Sequence, residues 1–264
     1  MGEKNMKIQK GQKVLSLVLI VILSVGTMAF SGCLEDEETI VIGTSADFPP
    51  FEYVDEETGD IIGFDIELIK DVLEDQGYDD VEVEDQDFGT LIPSLESGEL
   101  DIVAAALTIT EERQERVDFT DPYYEADQSI LVREGMEDDI NAFEDLSGME
   151  VGSQSGTTGE GVVESELVET GIISDEDHER YDRYDRAVSD LRDERIDAVV
   201  IDSPVAESFR EAQPVEVAFI HETGERYAFA VQEDEDDFRE ELNAGIENVQ
   251  DSQTWDDLIE EYFE

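Results

Sequence analysis

Residues 39–52, Thr-Ile-Val-Ile-Gly-Thr-Ser-Ala-Asp-Phe-Pro-Pro-Phe-Glu, decide the fold of this chain. The part from Thr39 to Thr44 is rich in β-branched residues and has no alternation of apolar and polar positions, which is typical of a strand buried on both faces of a sheet. The pair Pro49-Pro50 then predicts a loop at the carboxyl end of that strand. The stretch therefore predicts an α/β sheet with a loop at its carboxyl edge.

The residues that follow continue the alternation of helix and strand. An apolar stripe from Phe64 to Leu73 predicts a helix that ends at Gly77, and residues 81–85 predict a second strand. A helix over 90–97 and a buried strand over 102–106 complete a first unit. The order of strand, helix, strand, helix and strand is the pattern of a parallel sheet.

A second α/β unit follows the first. Strands are predicted near 128–133, 149–153 and 196–201, with helices after Gly159, over 187–194 and after Ser203, which is placed as the N-cap before Pro204. Residues 238–263 predict two amphipathic helices. The chain is therefore expected to form two α/β lobes.

The amino-terminal 33 residues have the pattern of an export signal. Four lysines precede an apolar run over 14–30, and Phe30-Ser31-Gly32-Cys33 resembles a lipobox. Cys33 is the only cysteine, so we expect it to be acylated after cleavage of 1–32, with 34–38 as an acidic tether. The alternative is an uncleaved anchor, and Met6 is an alternative start. Whether Cys33 is lipidated or the leader stays as an anchor, the protein is expected to be tethered at the extracytoplasmic face of the cytoplasmic membrane.

The formal charge of −57 is extreme and limits the classes of partner. The negative electrostatic field of such a chain excludes nucleic acid as a binding partner. The lysine-poor, acid-rich composition resembles that of proteins from extreme halophiles, in which concentrated salt screens the repulsion. Disorder is the competing explanation, but 39% hydrophobic residues in periodic segments argue against it. No calcium-binding D-x-[DN]-x-[DN]-G loop occurs, and no metal site is expected.

Several segments together carry a family resemblance. They are 43–52 (GTSADFPPFE), 63–68 (GFDIEL), Phe88 with 91–95 (LIPSL), 108–113 (TITEER) and 118–124 (DFTDPYY). In order and spacing the chain resembles the polar amino-acid-binding proteins of ABC transporters, bacterial extracellular solute-binding protein family 3. The resemblance implies a clamshell like that of type II periplasmic binding proteins, with two α/β lobes joined by a two-strand hinge. Lobe 1 is expected to comprise 39–127 plus 222–264, and lobe 2 to comprise 128–221.

The resemblance also implies a site for the amino-acid zwitterion. Arg113, assisted by Thr108, matches the arginine that clasps the α-carboxylate, and a guanidinium fork suits that bidentate task. Asp202 matches the aspartate that binds the α-ammonium from the other lobe. The simpler alternatives are that Arg113 pairs with Glu112 or Glu115 on a solvated helix, and that Asp202 merely precedes the next helix cap.

Further ligand contacts follow from the same motifs. Second-lobe contacts are implied for Thr158, with Thr157 and Gln154 nearby, and Phe48 and Phe88 match the aromatic walls around the ligand side chain. Several relatives that bind basic or amide side chains carry Asp where Ser45 stands, and some that bind basic amino acids use serine where Ala105 and Ala106 stand. A neutral polar or broad preference is therefore expected, unless Glu52 or Asp47 compensates.

The expected function is the substrate-binding component of an amino-acid ABC importer, a monomer that delivers its ligand to a permease with its ATPase. No catalytic residue and no cofactor is expected. The two histidines lie far apart, and no H-E-x-x-H, C-x-x-C or G-x-S-x-G motif occurs. The alternatives are a cyclohexadienyl (arogenate or prephenate) dehydratase, because such enzymes resemble the same family, and an extracellular amino-acid sensor.

Overall fold

The computed structural model describes residues 39–264 and builds them around two five-stranded sheets. The predicted leader with Cys33, and the tether 34–38, lie outside the described residues. Among residues 39–264, no helix combines the length and the apolar character that a membrane span requires.

The first sheet has strand β1 (Ile40–Thr44) near its centre. β1 pairs in parallel with β5 (Val81–Asp85) on one side and with β6 (Ile102–Val103) on the other. Strand β13 (Ala230–Gln232) runs antiparallel between β6 and β7 (Val117–Phe119). The sheet is therefore mixed rather than parallel throughout, because the chain returns to it from the opposite direction after the second unit. A small sheet beside it contains β2 (Asp47–Phe48), β3 (Glu52–Val54) and β4 (Ile61–Ile62).

Four longer helices pack around this first sheet: α1 (Phe64–Gln76), α2 (Phe88–Ser97), α7 (Asp236–Gln250) and α8 (Gln253–Phe263). The predicted stripe of α1 is fully buried, and the helix ends at Gly77, whose φ is 90°. Gly245 allows α7 to approach α1 closely, since a Cβ there would lie 2.8 Å from Val72 Cγ1. We define the first lobe as the first sheet with these four helices and the short α3 (Glu111–Gln114). The carboxyl-terminal helices thus belong to the first lobe.

The second lobe is built on a sheet of five strands: β8 (Tyr124–Arg133), β9 (Val151–Gln154), β10 (His178–Tyr181), β11 (Ala198–Asp202) and β12 (Val215–Tyr227). Their order in the sheet is β10-β9-β11-β8-β12. Its helices are α4 (Thr158–Val162), α5 (Tyr184–Arg192) and α6 (Ser203–Ala212), with a π-helical segment at Val163–Val168 and 3₁₀ turns at Phe143–Leu146 and Asp175–Asp177.

Two long strands connect the lobes. β8 and β12 pair antiparallel from Tyr124–Tyr227 at the first-lobe end to Arg133–Val215 at the second-lobe end. At the first-lobe end, Tyr227 also bridges to Thr108. The α/β two-lobed fold with a two-strand connection is confirmed. The lobe limits at 127/128 and 221/222 fall within these two strands and stay a prediction.

Two local expectations are wrong. The strand predicted over 102–106 is shorter in the structure, where β6 covers only Ile102–Val103. It cannot extend through Ala106, whose φ of 43° occurs in no regular strand. Ser203 is the first residue of α6 rather than its N-cap. Asp202 takes the N-cap position but makes no capping bond, and Ser203 Oγ donates to Asp127 O.

Candidate functional site

A cavity lies between the carboxyl-terminal ends of strands from both lobes. All ten residues predicted to bind ligand lie on its wall, together with Glu52 and Ala105: Ser45, Phe48, Phe88, Ala106, Thr108, Arg113, Gln154, Thr157, Thr158 and Asp202. The structure therefore brings the predicted set together, although their contact with a ligand stays a prediction.

Arg113 supplies the guanidinium of this cavity. It is buried in α3, where Thr110 caps the helix by accepting the Arg113 amide at 3.2 Å. Its Nη1 donates to Thr108 O at 2.7 Å, and its Nη2 donates to Gly156 O of the second lobe at 3.1 Å. Within residues 39–264 no carboxylate forms an ion pair with it, which argues against the predicted alternative of pairing with Glu112 or Glu115. The guanidinium thus reaches the cleft with its charge unpaired.

The ring of Phe88 packs against this guanidinium. The Cζ atom of Arg113 lies 5.3 Å from the centroid of the Phe88 ring, a cation–π distance. Burial lowers the pKa of Arg113, and the charges of Glu225 and Asp202 oppose that effect. Arginine stays protonated in such surroundings, so the site offers a permanent cation to an anionic group.

Asp202 faces the cavity from the second lobe at the end of β11. It is buried, and the side-chain amide of Gln128 on β8 donates to its Oδ1. Burial raises the pKa of Asp202 well above its usual range, and the charge of Glu225 raises it further, while Arg113 lowers it. An ammonium group placed beside Asp202 would favour its ionised form.

Glu225, on the connecting strand β12, is a site residue that sequence reasoning missed. Its Oε2 accepts the hydroxyl protons of Thr108 at 2.6 Å and of Thr158 at 2.8 Å. Its Oε1 accepts from Gln128 Nε2 at 3.0 Å and from Thr223 Oγ1 at 3.2 Å. Each threonine has one hydroxyl proton, so in this state neither hydroxyl is free to donate to a ligand carboxylate.

The loop between β9 and α4 forms the second-lobe wall. Thr157 is the N-cap of α4, accepting from Glu160 N at 3.2 Å and donating to Gln154 O at 2.7 Å. Gln154 Nε2 donates to Asp182 O at 2.9 Å. These bonds hold the loop so that the amino-terminal end of α4, beginning at Thr158, faces the cavity.

The cavity wall carries a second buried carboxylate. Glu52, on β3, is 1% exposed, and its Oε2 has no hydrogen-bond partner within the part of the chain that the structure describes. Burial raises its pKa well above the usual range, and the charges of Asp65, Asp47 and Asp202 raise it further. A buried carboxylate is costly without a partner, so Glu52 lacks a cation or a donor among the described residues.

Phe48 lies on the cavity wall, and its neighbour Asp47 is buried beside it. Ser45 Oγ donates to Asp47 Oδ1 at 3.1 Å, and burial raises the pKa of Asp47 to about 6. The Phe48 ring lies 5.4 Å from the ring of Tyr184 in the second lobe. Ser45 is thus turned toward Asp47, and Phe48 packs across the cleft.

The backbone at Ala106 is held by a buried acid. Ala106 N donates to Asp65 Oδ2 at 2.7 Å, and Tyr123 Oη donates to the same oxygen at 2.5 Å. Asp65 is fully buried at the start of α1, and this burial raises its pKa to about 7. Asp65 therefore fixes the left-handed turn that places Ala106 in the wall.

Comparison with known proteins gives matches over most of the chain. The family model described as bacterial extracellular solute-binding proteins, family 3, matches residues 40–264. An arginine-binding extracellular protein of Bacillus subtilis is 30% identical over 239 residues, covering 88% of this chain and 89% of that protein. A probable histidine-binding protein of Campylobacter jejuni is 32% identical over 227 residues, covering 85% and 84% of the two chains.

A solved structure matches the fold as well. An ancestral arginine-binding protein bound to arginine is 37% identical and superimposes with a TM-score of 0.79, covering 86% of this chain and 98% of its own. The fold and the predicted family are therefore both supported by proteins that span nearly the same length.

Proposed function

The chain belongs to family 3 of the bacterial extracellular solute-binding proteins, and from this membership we propose that it captures a free amino acid for an ABC importer. The observation that carries the proposal is the cavity in which Arg113 of the first lobe and Asp202 of the second face a common space. A guanidinium and a carboxylate so arranged suit the two charges of an α-amino acid.

In the proposed complex, Arg113 binds the α-carboxylate and Asp202 binds the α-ammonium. The hydroxyls of Thr108 and Thr158 are held by Glu225, so their role is to fix the wall unless they turn toward the ligand. Because the two charged groups come from different lobes, the ligand stabilises the closed form, in which it is shielded from water.

For the side chain, we propose a cationic group rather than the neutral one that Ser45 and Ala106 suggest. Glu52 supports this choice, because the residue lines the cavity and its buried Oε2 has no partner within residues 39–264. A guanidinium or ammonium placed there would supply the missing donor and cancel the charge. Arginine is the first candidate, and the two relatives named for arginine agree with it.

The proposed setting is the extracytoplasmic face of the membrane, with Cys33 acylated and the protein acting as a monomer that docks on a permease. Mass spectrometry of the membrane fraction tests the anchor, since Cys33→Ser should release the protein in unacylated form.

We propose no enzymatic role. A dehydratase needs a positioned general acid for its substrate, and the buried acids of this cavity are assigned to ligand charges or to the wall.

The decisive experiment is calorimetry with the twenty amino acids in molar potassium chloride. We expect at least one basic amino acid to bind with a Kd well below about 1 mM. Arg113→Ala should abolish binding while the protein stays folded. Arg116→Ala is the matched control, because Arg116 lies three residues away, is exposed, and pairs only with Glu96 within the described residues.

If Arg113→Ala and Arg116→Ala bind with equal affinity, Arg113 is not the carboxylate ligand. If no amino acid binds to the wild type, and prephenate or arogenate is instead converted to aromatic product, the dehydratase alternative replaces this proposal.

A further inference from the structure

Arg183 extends from the second lobe to a group of carboxylates in the first. It immediately precedes α5, and its Nη2 lies 2.8 Å from Asp85 Oδ1 at the end of β5. Its Nε lies 3.5 Å from Asp87 Oδ1, and its Nη1 lies 3.9 Å from Asp47 Oδ1. We call Arg183 with these three aspartates the cleft clamp.

The cleft clamp is continuous with the wall of the cavity. Tyr184, the residue after Arg183, donates its backbone N–H to Asp47 Oδ2 at 2.5 Å. Asp47 in turn accepts from Ser45, and its neighbour Phe48 packs on the Tyr184 ring. A change in the position of the clamp residues would therefore be transmitted by direct contacts to Ser45 and Phe48, which line the cavity.

No other ion pair among the described residues joins the two lobes. Arg180, three residues before Arg183, binds Glu160, Glu164 and Asp175, all in the second lobe. The pairs made by the other basic residues also stay within one lobe: Lys70–Glu67, Arg116–Glu96, Arg133–Asp197, Arg195–Asp190, Arg195–Asp193, Arg210–Glu207, Arg210–Glu216 and Arg239–Asp236.

Partial burial makes this interaction stronger than an ordinary surface pair. The Arg183 side chain is 23% exposed and that of Asp47 is 5% exposed. Opening the cleft would remove from three neighbouring carboxylates the only cation that pairs with them among the described residues, and they would then repel one another without a counter-charge. The clamp thus favours the closed form in a chain whose net charge otherwise pushes its parts away from one another.

We propose that Arg183 is a positioning residue that sets the affinity for ligand by holding the two lobes closed, without touching the ligand itself. The effect on affinity rests on the proposed function. When a protein binds ligand in a closed form, its apparent affinity is proportional to the fraction that reaches that form. Loss of the clamp lowers that fraction and speeds ligand release.

The test compares Arg183→Ala with Arg180→Ala in the full chain. Both variants remove one arginine that holds three carboxylates, but only the first crosses the cleft. Hydrogen exchange of the ligand-free protein reports opening through the amide of Tyr184, and calorimetry with L-arginine reports affinity. We expect Arg183→Ala to raise exchange in the peptide around Tyr184 and to weaken binding by about tenfold. Arg180→Ala should leave both unchanged within about twofold.

Two further variants separate the clamp from a merely local role. Arg183→Lys keeps the charge and should restore part of the affinity. Asp85→Asn combined with Asp87→Asn should weaken binding as Arg183→Ala does, and adding Arg183→Ala to that pair should cost little more. The dissociation rate should carry most of the change.

Equal exchange and equal affinity in the Arg183→Ala and Arg180→Ala variants would overturn the proposal. So would full additivity between Arg183→Ala and the aspartate pair. If L-arginine binds to no variant, the proposed function fails, but the exchange comparison still tests the clamp.

Discussion

Thr108 Oγ1 donates a 2.6 Å hydrogen bond to Glu225 Oε2, which links the segment after β6 to the strand that connects the lobes. The same oxygen accepts from Thr158 of the second lobe. One carboxylate therefore organises hydroxyl groups from both walls of the cavity, and it does so beside the guanidinium that we assign to the ligand carboxylate.

Glu225→Gln should destabilise the protein by about 1–3 kcal/mol, because a buried group loses hydrogen bonds that it cannot replace. Four donors point at Glu225, whereas the amide side chain of Gln offers one acceptor oxygen and two more donors. Denaturation by urea in molar potassium chloride measures the change. Glu222→Gln, at an exposed position of the same strand, is the control; equal midpoints for the two variants would contradict the assignment.

Glu52→Gln should change the selectivity of the site. Removal of the charge should weaken arginine binding by at least about tenfold, while glutamine binding changes by less than about threefold. Calorimetry with both amino acids measures the ratio. Glu56→Gln, on the exposed turn after β3, should leave that ratio unchanged. A parallel loss of affinity for both ligands would mean that Glu52 supports the wall and does not contact the side chain.

Asp65 should make stability depend on pH in a direction opposite to that of most carboxylates. Its pKa is about 7 in the folded protein and about 4 in the unfolded chain, so between these values the folded state holds the extra proton. Ionisation of Asp65 therefore lowers stability as the pH rises from about 4 to about 7, by at most about 1.4 kcal/mol per pH unit.

The isosteric variant Asp65→Asn isolates this contribution. The stability of the wild type minus that of Asp65→Asn should fall across the window from pH 4 to pH 7 and level off above it. Denaturation midpoints at intervals of half a pH unit measure the difference. A difference that does not vary with pH would show that Asp65 keeps an ordinary pKa.

Low salt should unfold the protein. A net charge of −57 repels itself strongly at 0.1 M salt, where the Debye length is about 10 Å, and much less at 1 M, where it is about 3 Å. Circular dichroism should show loss of structure between about 2 M and 0.1 M potassium chloride. Sucrose at equal osmolality, which does not screen charge, is the control. A thermal midpoint that is the same at both salt concentrations would remove the halophilic interpretation.

The family motifs located Arg113 and Asp202, and their positions near the carboxyl edge of a sheet agree with that resemblance, since such edges place ligands whatever the details of packing. Glu225 was missed because it is one of 73 acidic residues and no spacing distinguishes it. Its role depends on the pairing of β8 with β12, a contact between residues far apart in the chain.

Predictions from local sequence patterns were wrong where a hydrogen bond between residues far apart in the chain determined the backbone conformation. Ser203 followed by Pro204 has the pattern of a helix cap, yet the Asp202 carboxylate that takes the cap position is bonded to Gln128 on the neighbouring strand. The run of alanines before Leu107 favoured a longer strand, but the bond from Ala106 to Asp65 bends the backbone. In both places the deviation lies on the wall of the cavity.

The bond from Arg113 Nη2 to Gly156 O affects how much a ligand can gain. The backbone carbonyl of Gly156, in the second lobe, already accepts a hydrogen bond from the guanidinium of Arg113. In the proposed complex, the ligand carboxylate would therefore replace that carbonyl rather than add a bond to an unused donor. Counting the contacts of a bound carboxylate would then overstate the net enthalpy of binding, and we expect the separation of Gly156 from Arg113 on lobe opening to make the guanidinium available to a new ligand.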